Sequence, residues 1–444
     1  MLRTLRITLT TALLALATTA VNAQDWTMFL GPDRNSKSPQ KGLLRTWADG
    51  EPAALWSVGL GRGYGGPVVK NGKVYLLDRD DEKGDIMRCF DLASGDELWQ
   101  FAYDSPGEVP FPGSRSVPAV DDRYVYSCGT YGDLYCFDLN SHQPVWKKNI
   151  WTDFGGGERL PVWAISQCPT IYGELLIISS QAPDAGVVAY NRNTGEVVWK
   201  TPNLGNENYA SPTVLKIHGE DQVVMVNSST NPFANPNAPA TKGKVVGLDP
   251  MTGAELWRYD NWECHITCAP PTLADDNKLL IVGGYERGAT LIQINKAADG
   301  KFSVAELFTT TDFGDQTKSA LYHNGCFYAM YRTNQKRDGM VCMDINGKLL
   351  WKTGNNPNFD RGSMILADGL ILATDGMKTL YLIEPDATGF KPISKANVLS
   401  EGGASTGGMS AMGGNTQNWA AIALADGKLL VRDQAKMVCV KVVK

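Results

Sequence analysis

The sequence lacks the short motifs that carry most of the catalytic chemistry of soluble proteins. Its nine cysteines include no Cys-x-x-Cys pair and no haem-attachment sequence, which argues against a dithiol redox centre and a covalently attached haem. It also has no nucleophile elbow, no phosphate-binding loop and no zinc-protease helix. No catalytic residue is therefore assigned from motifs.

Long runs of one charge sign and long apolar runs are missing from the body of the chain as well. The formal net charge is -5 and like charges do not form a block, so nucleic-acid binding is not expected. Beyond the N-terminus no segment reaches about 18 consecutive apolar residues, so no transmembrane segment is predicted.

The N-terminus has the pattern of a secretory signal peptide. Arg3 and Arg6 form its positive start, residues 7–17 its apolar stretch, and residues 21–23 ("VNA") a small-residue cleavage site. We predict that residues 1–23 are removed and that the protein is periplasmic or secreted. The residue directly after the predicted cleavage site is not a cysteine, so no lipid anchor is expected.

The remaining chain shows no long 3.6-residue periodicity, and a phrase ending in Trp recurs instead. Its copies are "CFDLASGDELW" (89–99), "CFDLNSHQPVW" (136–146), "AYNRNTGEVVW" (189–199), "GLDPMTGAELW" (247–257) and "CMDINGKLLW" (342–351). Each follows two apolar runs separated by a turn such as Asn-Gly or Asp-Gly, which is typical of β-hairpins. Four short strands in a period of about 40 to 55 residues indicate a propeller blade.

Eight such units can be counted, with first strands that begin at Pro67, Pro118, Pro169, Pro212, Pro271, Ala320, Met364 and Ile422. The last unit lacks its Trp-ending strand, while "PAALWSVGL" (52–60) precedes the first unit without a partner. Pairing the two would close the ring. We therefore predict an all-β protein with a single eight-bladed β-propeller of four-stranded antiparallel blades at 51–444, an N-terminal extension at 24–50, and a monomeric state.

Four cysteines share one third-strand position of the repeat, where Ala189 and Gly247 stand in sister units. They are Cys89, Cys136, Cys342 and Cys439. We interpret them as small apolar residues at a closely packed position. Cys264 and Cys268, in "ECHITC", are the pair whose spacing suggests a local disulfide.

The blade phrase, with its Asp, its Thr-Gly turn and its terminal Trp, resembles the repeat of the pyrroloquinoline-quinone (PQQ)-binding-like β-propeller proteins. The N-terminal "DWTMFLGPDRNSKS" and "GLGRGYGGPVV" look like the opening of exported members of this group. The resemblance implies that the terminal Trp of each unit packs between neighbouring blades. These residues are Trp56, Trp99, Trp146, Trp199, Trp257 and Trp351.

Two functional branches share the architecture that this resemblance implies. Quinoprotein alcohol dehydrogenases hold PQQ and Ca²⁺ in the propeller mouth, whereas BamB-like subunits bind partner proteins and have no catalytic centre. The dehydrogenase branch implies two adjacent cysteines and Glu, Asn and Asp ligands for Ca²⁺. This chain has no adjacent cysteines, and its loop carboxylates match no such motif.

Loops that lead into the innermost strands of a propeller converge at one end of its channel, which makes their residues candidate ligand contacts. They are Arg62, Tyr64, Arg115, Trp163, Tyr209, His265, Lys318, Arg361 and Trp419. Aromatic faces and guanidinium groups suit a carbohydrate or an anionic group. The alternative is that these side chains fill the channel and pair with Asp315 or Asp360.

No metal site is predicted, because His265 with Cys264 and Cys268 lacks a second ligand pair. The acidic stretch "DRDDEKGD" (78–85) is interpreted as a solvated turn. The predicted function is binding of a small molecule, a glycan or a protein partner at the channel mouth. This function requires no catalytic centre, and no cofactor is assigned to it. The alternative is a PQQ-dependent oxidoreductase that acts on alcohols or sugars.

Overall fold

Eight separate β-sheets make up the computed structural model, which describes residues 24–49, 51–206, 208–231, 237, 239–333, 335–400 and 417–444. The predicted signal peptide, residues 1–23, lies outside these residues. Seven sheets have four strands and one has five. All pairings within the repeat units are antiparallel, which confirms the predicted fold class.

The chain enters through β1 (Lys37–Ser38) and β2 (Ala54–Gly59). Blade 1 consists of β3 (Val68–Lys70), β4 (Lys73–Asp80), β5 (Gly84–Asp91) and β6 (Glu97–Ala102). Blade 2 consists of β7 (Ala119–Val120), β8 (Tyr124–Cys128), β9 (Asp133–Asp138) and β10 (Pro144–Asn149). Blade 3 consists of β11 (Thr170–Tyr172), β12 (Leu175–Ala182), β13 (Ala185–Asn191) and β14 (Val197–Lys200). Blade 4 consists of β15 (Thr213–Ile217), β16 (Glu220–Asn227), β17 (Gly243–Leu248) and β18 (Glu255–Trp262).

Blade 5 consists of β19 (Thr272–Ala274), β20 (Lys278–Gly283), β21 (Gly288–Lys296) and β22 (Phe302–Thr310). Blade 6 consists of β23 (Leu321–His323), β24 (Cys326–Arg332), β25 (Arg337–Asp344) and β26 (Leu349–Lys352). Blade 7 consists of β27 (Met364–Ala367), β28 (Leu370–Thr374), β29 (Thr379–Glu384) and β30 (Lys391–Asn397). Blade 8 contains β31 (Ala423–Ala425), β32 (Lys428–Arg432) and β33 (Lys436–Lys441). Two short 3₁₀ helices lie at Thr152–Phe154 and Asp275–Asn277, and among the described residues no helix is long and apolar enough to span a membrane.

The turns of each blade explain why the repeat folds as a meander. Asn71 and Gly72, between β3 and β4, both have positive φ, as the tight turn of a right-twisted hairpin requires. In the outer turn, the side-chain Oδ1 of Asp91 accepts hydrogen bonds from the backbone N–H groups of Ala93 and Ser94. The Asp of the recurring phrase is thus a turn cap.

The Trp of the recurring phrase lies on the fourth strand and faces the small third-strand residue. Trp99 pairs with Cys89, and Trp257 pairs with Gly247, where any Cβ would collide with the indole ring. Trp257 therefore requires a glycine opposite to it, whereas Trp99 accommodates the small side chain of Cys89. Four of the six indoles also donate a hydrogen bond to a backbone carbonyl of the following blade: Trp56 to Leu92, Trp146 to Arg192, Trp199 to Pro250 and Trp351 to Asp386.

The ring is closed by the strand that precedes the first unit. β2 pairs antiparallel with β33, with Trp56 opposite Cys439, so blade 8 has four strands as predicted. Arg432, fully buried, donates to the carbonyl oxygens of Gly61 at 2.7 Å and Gly65 at 3.5 Å, just beyond β2. Both ends of the chain thus form one sheet.

The segment before β2 is tied to several blades and contributes to the sheets. β1 pairs in parallel with β27 and gives blade 7 its fifth strand. Arg45 forms an ion pair with Asp368 at 2.7 Å. Both contacts connect the N-terminal segment to blade 7, which is far away along the chain.

The interpretation of 78–85 as a solvated turn is wrong at both ends. The side chains of Arg79 and Asp85 are fully buried and paired, with 2.8 Å between Nη1 and Oδ2. Asp85 also accepts hydrogen bonds from the backbone N–H and the hydroxyl of Thr130 in the next blade. The Asp85 carboxylate therefore connects blades 1 and 2. The exposed residues of this stretch are in the turn between β4 and β5.

The disulfide that the spacing of Cys264 and Cys268 suggests is absent. All nine cysteines are free thiols, and Sγ of Cys264 lies 3.2 Å from the carbonyl oxygen of Ile266. Burial of both side chains raises their thiol pKa values, that of Cys268 to about 12.

Candidate functional site

A cavity of about 290 Å³ lies at the end of the channel where the innermost strands begin. The loops that precede β3, β7, β11, β15, β19, β23, β27 and β31 provide most of its lining, as the convergence of these loops requires. Seven of the nine candidate contacts line it: Tyr64, Arg115, Trp163, Tyr209, Lys318, Arg361 and Trp419. We call this the mouth cavity.

The other two candidate contacts, Arg62 and His265, do not line the mouth cavity. The Arg62 backbone packs against Gly113, which has no side chain to keep the two loops apart. His265 is half-buried with its ring 4.9 Å from that of Tyr285. Burial lowers the pKa of His265, and nearby Arg287 lowers it further, while Glu286 acts in the opposite direction.

Aromatic rings dominate the wall of the mouth cavity. The ring centroid of Trp419 lies 5.6 Å from that of Tyr64 and 6.1 Å from that of Phe111. Phe111 meets Trp163 edge-on at 5.4 Å. These four residues come from loops of blades 8, 1, 2 and 3, and they form a continuous aromatic wall that we call the aromatic arc.

Phe111 and Tyr285 were not among the sequence candidates, although both line the cavity. Phe111 has positive φ and lies four residues before Arg115, outside the short window that precedes β7. Tyr285 comes from the turn between β20 and β21, a position that the convergence of the inner loops does not cover. A wider window would have found Phe111, but no sequence signal marks Tyr285.

Arg361 is held against the aromatic arc by neighbouring polar groups. Its guanidinium carbon lies 4.7 Å from the Trp419 ring centroid, within the range of a cation–π contact. Its Nη1 donates to Asp360 at 3.0 Å, and its Nε and Nη2 donate to Oε1 of Gln316. Burial raises the pKa of Asp360, while Arg361 and Arg332 oppose that rise.

The two other basic groups of the cavity also have partners within the protein. Arg115 donates to the backbone carbonyls of Pro110, Phe111 and Gly113. Lys318 donates from Nζ to the carbonyl of Trp419 at 2.7 Å, and burial lowers the pKa of its ammonium group. Of the predicted pairing with Asp315 or Asp360, the ion pair of Arg361 with Asp360 is present, whereas Arg115 and the Lys318 ammonium group donate to backbone carbonyls.

Asp315 lies under the cavity and organises its loop. One carboxylate oxygen accepts the backbone N–H groups of Thr317 and Lys318, and the other accepts that of Met330. Burial raises its pKa to about 6, although these hydrogen bonds and Lys318 act in the opposite direction. Its oxygens are committed to the loop.

Among the described residues, the mouth cavity has no lining carboxylate that could bind Ca²⁺. The nearby Asp315 and Asp360 are engaged as described. Within the described ranges, no group of three or more His, Cys, Asp or Glu side chains could hold a metal ion. A calcium-bound quinone centre therefore does not fit the described residues of the mouth cavity.

Comparisons with known proteins place the chain among the quinoprotein-like propellers. It is 26% identical over 178 residues to a quinoprotein ethanol dehydrogenase of Pseudomonas aeruginosa, a match that covers 38% of this chain and 26% of that protein. It is 26% identical over 325 residues to the quinoprotein alcohol dehydrogenase PedH of Pseudomonas putida, covering 65% of this chain and 49% of PedH. The chain spans half or less of the length of these relatives.

Solved structures share the fold at low sequence identity. BamB from Moraxella catarrhalis matches with a TM-score of 0.56 and 15% identity, covering 87% of this chain and 99% of that one. The quinohemoprotein alcohol dehydrogenase of Comamonas testosteroni matches with a TM-score of 0.63 and 12% identity, covering 95% and 81%. The family model described as outer membrane protein assembly factor BamB matches residues 82–324, more than half of the 444 residues. The chain therefore belongs to this family of PQQ-like β-propellers.

Proposed function

We propose that this propeller binds a small ring-shaped molecule against the aromatic arc of its mouth cavity and that it acts by binding, without a catalytic group of its own. The observation that carries the proposal is the arc itself, in which Tyr64, Phe111, Trp163 and Trp419 surround one cavity of about 290 Å³. Half-buried aromatic faces at a cavity are the usual means of holding flat or ring-shaped ligands.

The electrostatics of the cavity favour ring stacking over recognition of a strongly charged group. Most N–H groups of Arg361 and Arg115 already donate hydrogen bonds to Asp360, Gln316 and backbone carbonyls. A ligand with several negative charges would have to compete with these contacts. Sugars and planar ring systems need an apolar face and a few polar contacts at the edge, and the cavity provides both.

A protein partner is supported by the family to which the chain belongs, which is described as an assembly factor. A cavity of this size accommodates a small molecule or one inserted side chain, so a protein would have to contact mainly the surrounding loops. We therefore assign the cavity to a small molecule. A partner that inserts one aromatic side chain there would compete with it.

The second candidate function is that of a PQQ-dependent oxidoreductase, which the names of the quinoprotein relatives favour. Against it stand the lack of a metal-binding carboxylate cluster among the described residues and the absence of adjacent cysteines in the sequence. We derive no redox step for this chain.

Tryptophan fluorescence separates these possibilities, because Trp163 and Trp419 line the cavity. The purified protein is titrated with mono- and oligosaccharides, and separately with PQQ in the presence and absence of Ca²⁺. We expect saturable quenching by one ring-shaped ligand without a requirement for Ca²⁺. A W419A variant should bind about fivefold more weakly, since stacking on one ring contributes about 1 kcal/mol.

The matched control is W47F, because Trp47 lies in the N-terminal segment and does not line the cavity. Unchanged affinity in W419A, or a full requirement for Ca²⁺ together with alcohol oxidation, would contradict the proposal. We further propose that the protein is exported as a monomer to the periplasm or the medium. N-terminal sequencing of the mature protein should then begin at Gln24.

A further inference from the structure

A second cavity, of about 330 Å³, lies at the opposite end of the channel. Its lining includes residues in the later parts of inner strands, such as Tyr172 of β11, Lys216 of β15 and Tyr322 of β23. The N-terminal segment forms its remaining wall with Arg34 and Lys37. We call it the rear cavity, and none of the mouth contacts lines it.

Arg34 is fixed in place with unused hydrogen-bonding capacity. Its backbone has a positive φ of 54°, unusual for an arginine, and its Nη2 donates to the carbonyl of Ile171 at 2.8 Å. The Nε–H group is buried and has no hydrogen-bond partner among the described residues. A buried donor without a partner is costly, so a ligand that accepts this hydrogen bond would be stabilised.

Lys37 is the second basic group without an anionic partner at hydrogen-bonding distance. Its ammonium nitrogen lies 5.9 Å from the centre of the Tyr322 ring, and among the described residues no carboxylate lies within 4 Å of it. Burial lowers its pKa, while the more distant Asp275 raises it. A pairing anion would relieve the cost of burying this charge.

Among the described residues, the other charged groups around the rear cavity form no ion pair with Arg34 or Lys37. Lys216 and Asp221 pair with each other at 2.8 Å, and Asp221 also accepts a hydrogen bond from the hydroxyl of Tyr172. Asp33 is the other carboxylate of the lining and is exposed. Asp33 and Asp221 also attract the Arg34 guanidinium, and Asp275 attracts the Lys37 ammonium group, but among the described residues none of these carboxylates lies within 4 Å of either basic group.

We infer that the rear cavity is a second binding site, for one oxyanion group of a small molecule, in which Arg34 and Lys37 supply the charge-assisted hydrogen bonds. A carboxylate, a phosphate or a sulfate has the acceptor oxygens that these two groups need. The site does not depend on the proposed function, because its lining and its ligand chemistry differ from those of the mouth.

The test uses the mature protein and three simple anions at constant ionic strength. Binding of inorganic phosphate is followed by ³¹P line broadening, and sulfate and acetate are then added as competitors to rank the three geometries. We expect saturable binding in the wild type and a loss of affinity of about tenfold or more in both R34Q and K37Q, as removal of a charge-assisted hydrogen bond implies. The matched control is K41Q, because Lys41 lies on the same segment and its side chain is 79% exposed.

Equal phosphate binding by the wild type, R34Q and K37Q would overturn the inference, and so would the failure of all three anions to bind. Circular dichroism establishes that each variant is folded, and K37Q alone decides if R34Q is not. W419A should retain phosphate binding. Whether W419A loses ring-ligand binding or keeps it, that result therefore tests the mouth cavity alone.

Discussion

Arg361 and Trp419 are linked twice, once by the guanidinium over the indole ring at 4.7 Å and once through Asp360. One oxygen of this carboxylate accepts from Arg361 at 3.0 Å, and the other accepts from the indole Nε1 of Trp419 at 3.4 Å. Arg361 and Asp360 are both almost fully buried. The ion pair thus sets the orientation of the Trp419 ring in the aromatic arc.

We expect R361M to destabilise the protein by about 3 kcal/mol, because it leaves Asp360 buried with only Arg332, at 3.6 Å, as a basic neighbour. It should also weaken ring-ligand binding, since Trp419 loses its support. Urea unfolding measures the first effect and fluorescence titration the second. The double variant R361M/D360N should recover part of the stability, and additive losses would contradict the coupling.

A comparison of two glycines tests how closely Trp199 packs against the outer turn of the next blade. Gly253 and Gly219 have similar positive φ angles of 70° and 80°, so replacement by alanine strains both backbones equally. At Gly253 a Cβ would collide with the ring of Trp199, whereas at Gly219 it meets no atom within 4 Å. We expect G253A to be less stable than G219A by at least about 1 kcal/mol in urea unfolding. Equal losses of unfolding free energy in the two variants would mean that Trp199 does not pack closely against Gly253.

Asp315 should make stability fall as the pH rises through the weakly acidic range. Its pKa is about 6 in the folded protein against an ordinary value of 3.8, so between these values the folded state binds one proton more than the unfolded state. The free energy of unfolding should therefore drop by up to about 3 kcal/mol from about pH 4 to about pH 6, and Asp315 should add no further slope above that range. Urea unfolding of wild type and D315N across this range measures the difference. Parallel pH profiles would contradict the assignment.

The thiols should be inert in the folded protein and fully available once it is unfolded. Eight of the nine are buried, and burial raises the pKa of Cys89 and of the partly exposed Cys268 to about 12. We expect Ellman's reagent at about pH 8 to modify at most Cys268 in the native state and all nine cysteines in urea without reductant. Seven reactive thiols in urea would instead indicate a disulfide.

The repeat could be predicted from the sequence because each blade is built from local hairpins. Asn-Gly and Asp-Gly turns, a capping Asp and a terminal Trp occur within one unit, so they mark its strands without knowledge of the other blades. The closure of the ring was predictable for a related reason, since the strand missing from the last unit stands unpaired before the first. Seven of the nine mouth candidates line the cavity because the blades repeat in register.

The features that sequence reasoning missed depend on contacts between distant segments. The burial of Asp85 is set by Thr130 in the next blade, and its acidic neighbours in sequence gave no sign of it. The parallel pairing of β1 with β27 joins residues from opposite ends of the chain. Tyr285 reaches the mouth from a hairpin turn of blade 5. None of these contacts leaves a local pattern.

The seam between β2 and β33 also decides when the protein can finish folding. β2 precedes all eight blades in the sequence, whereas β33 follows every other strand, so the two strands that pair are separated by all the blades. A molecule interrupted before β33 therefore retains two open strand edges that can pair with a second molecule. β33 therefore covers two strand edges at once, that of β2 and that of β32.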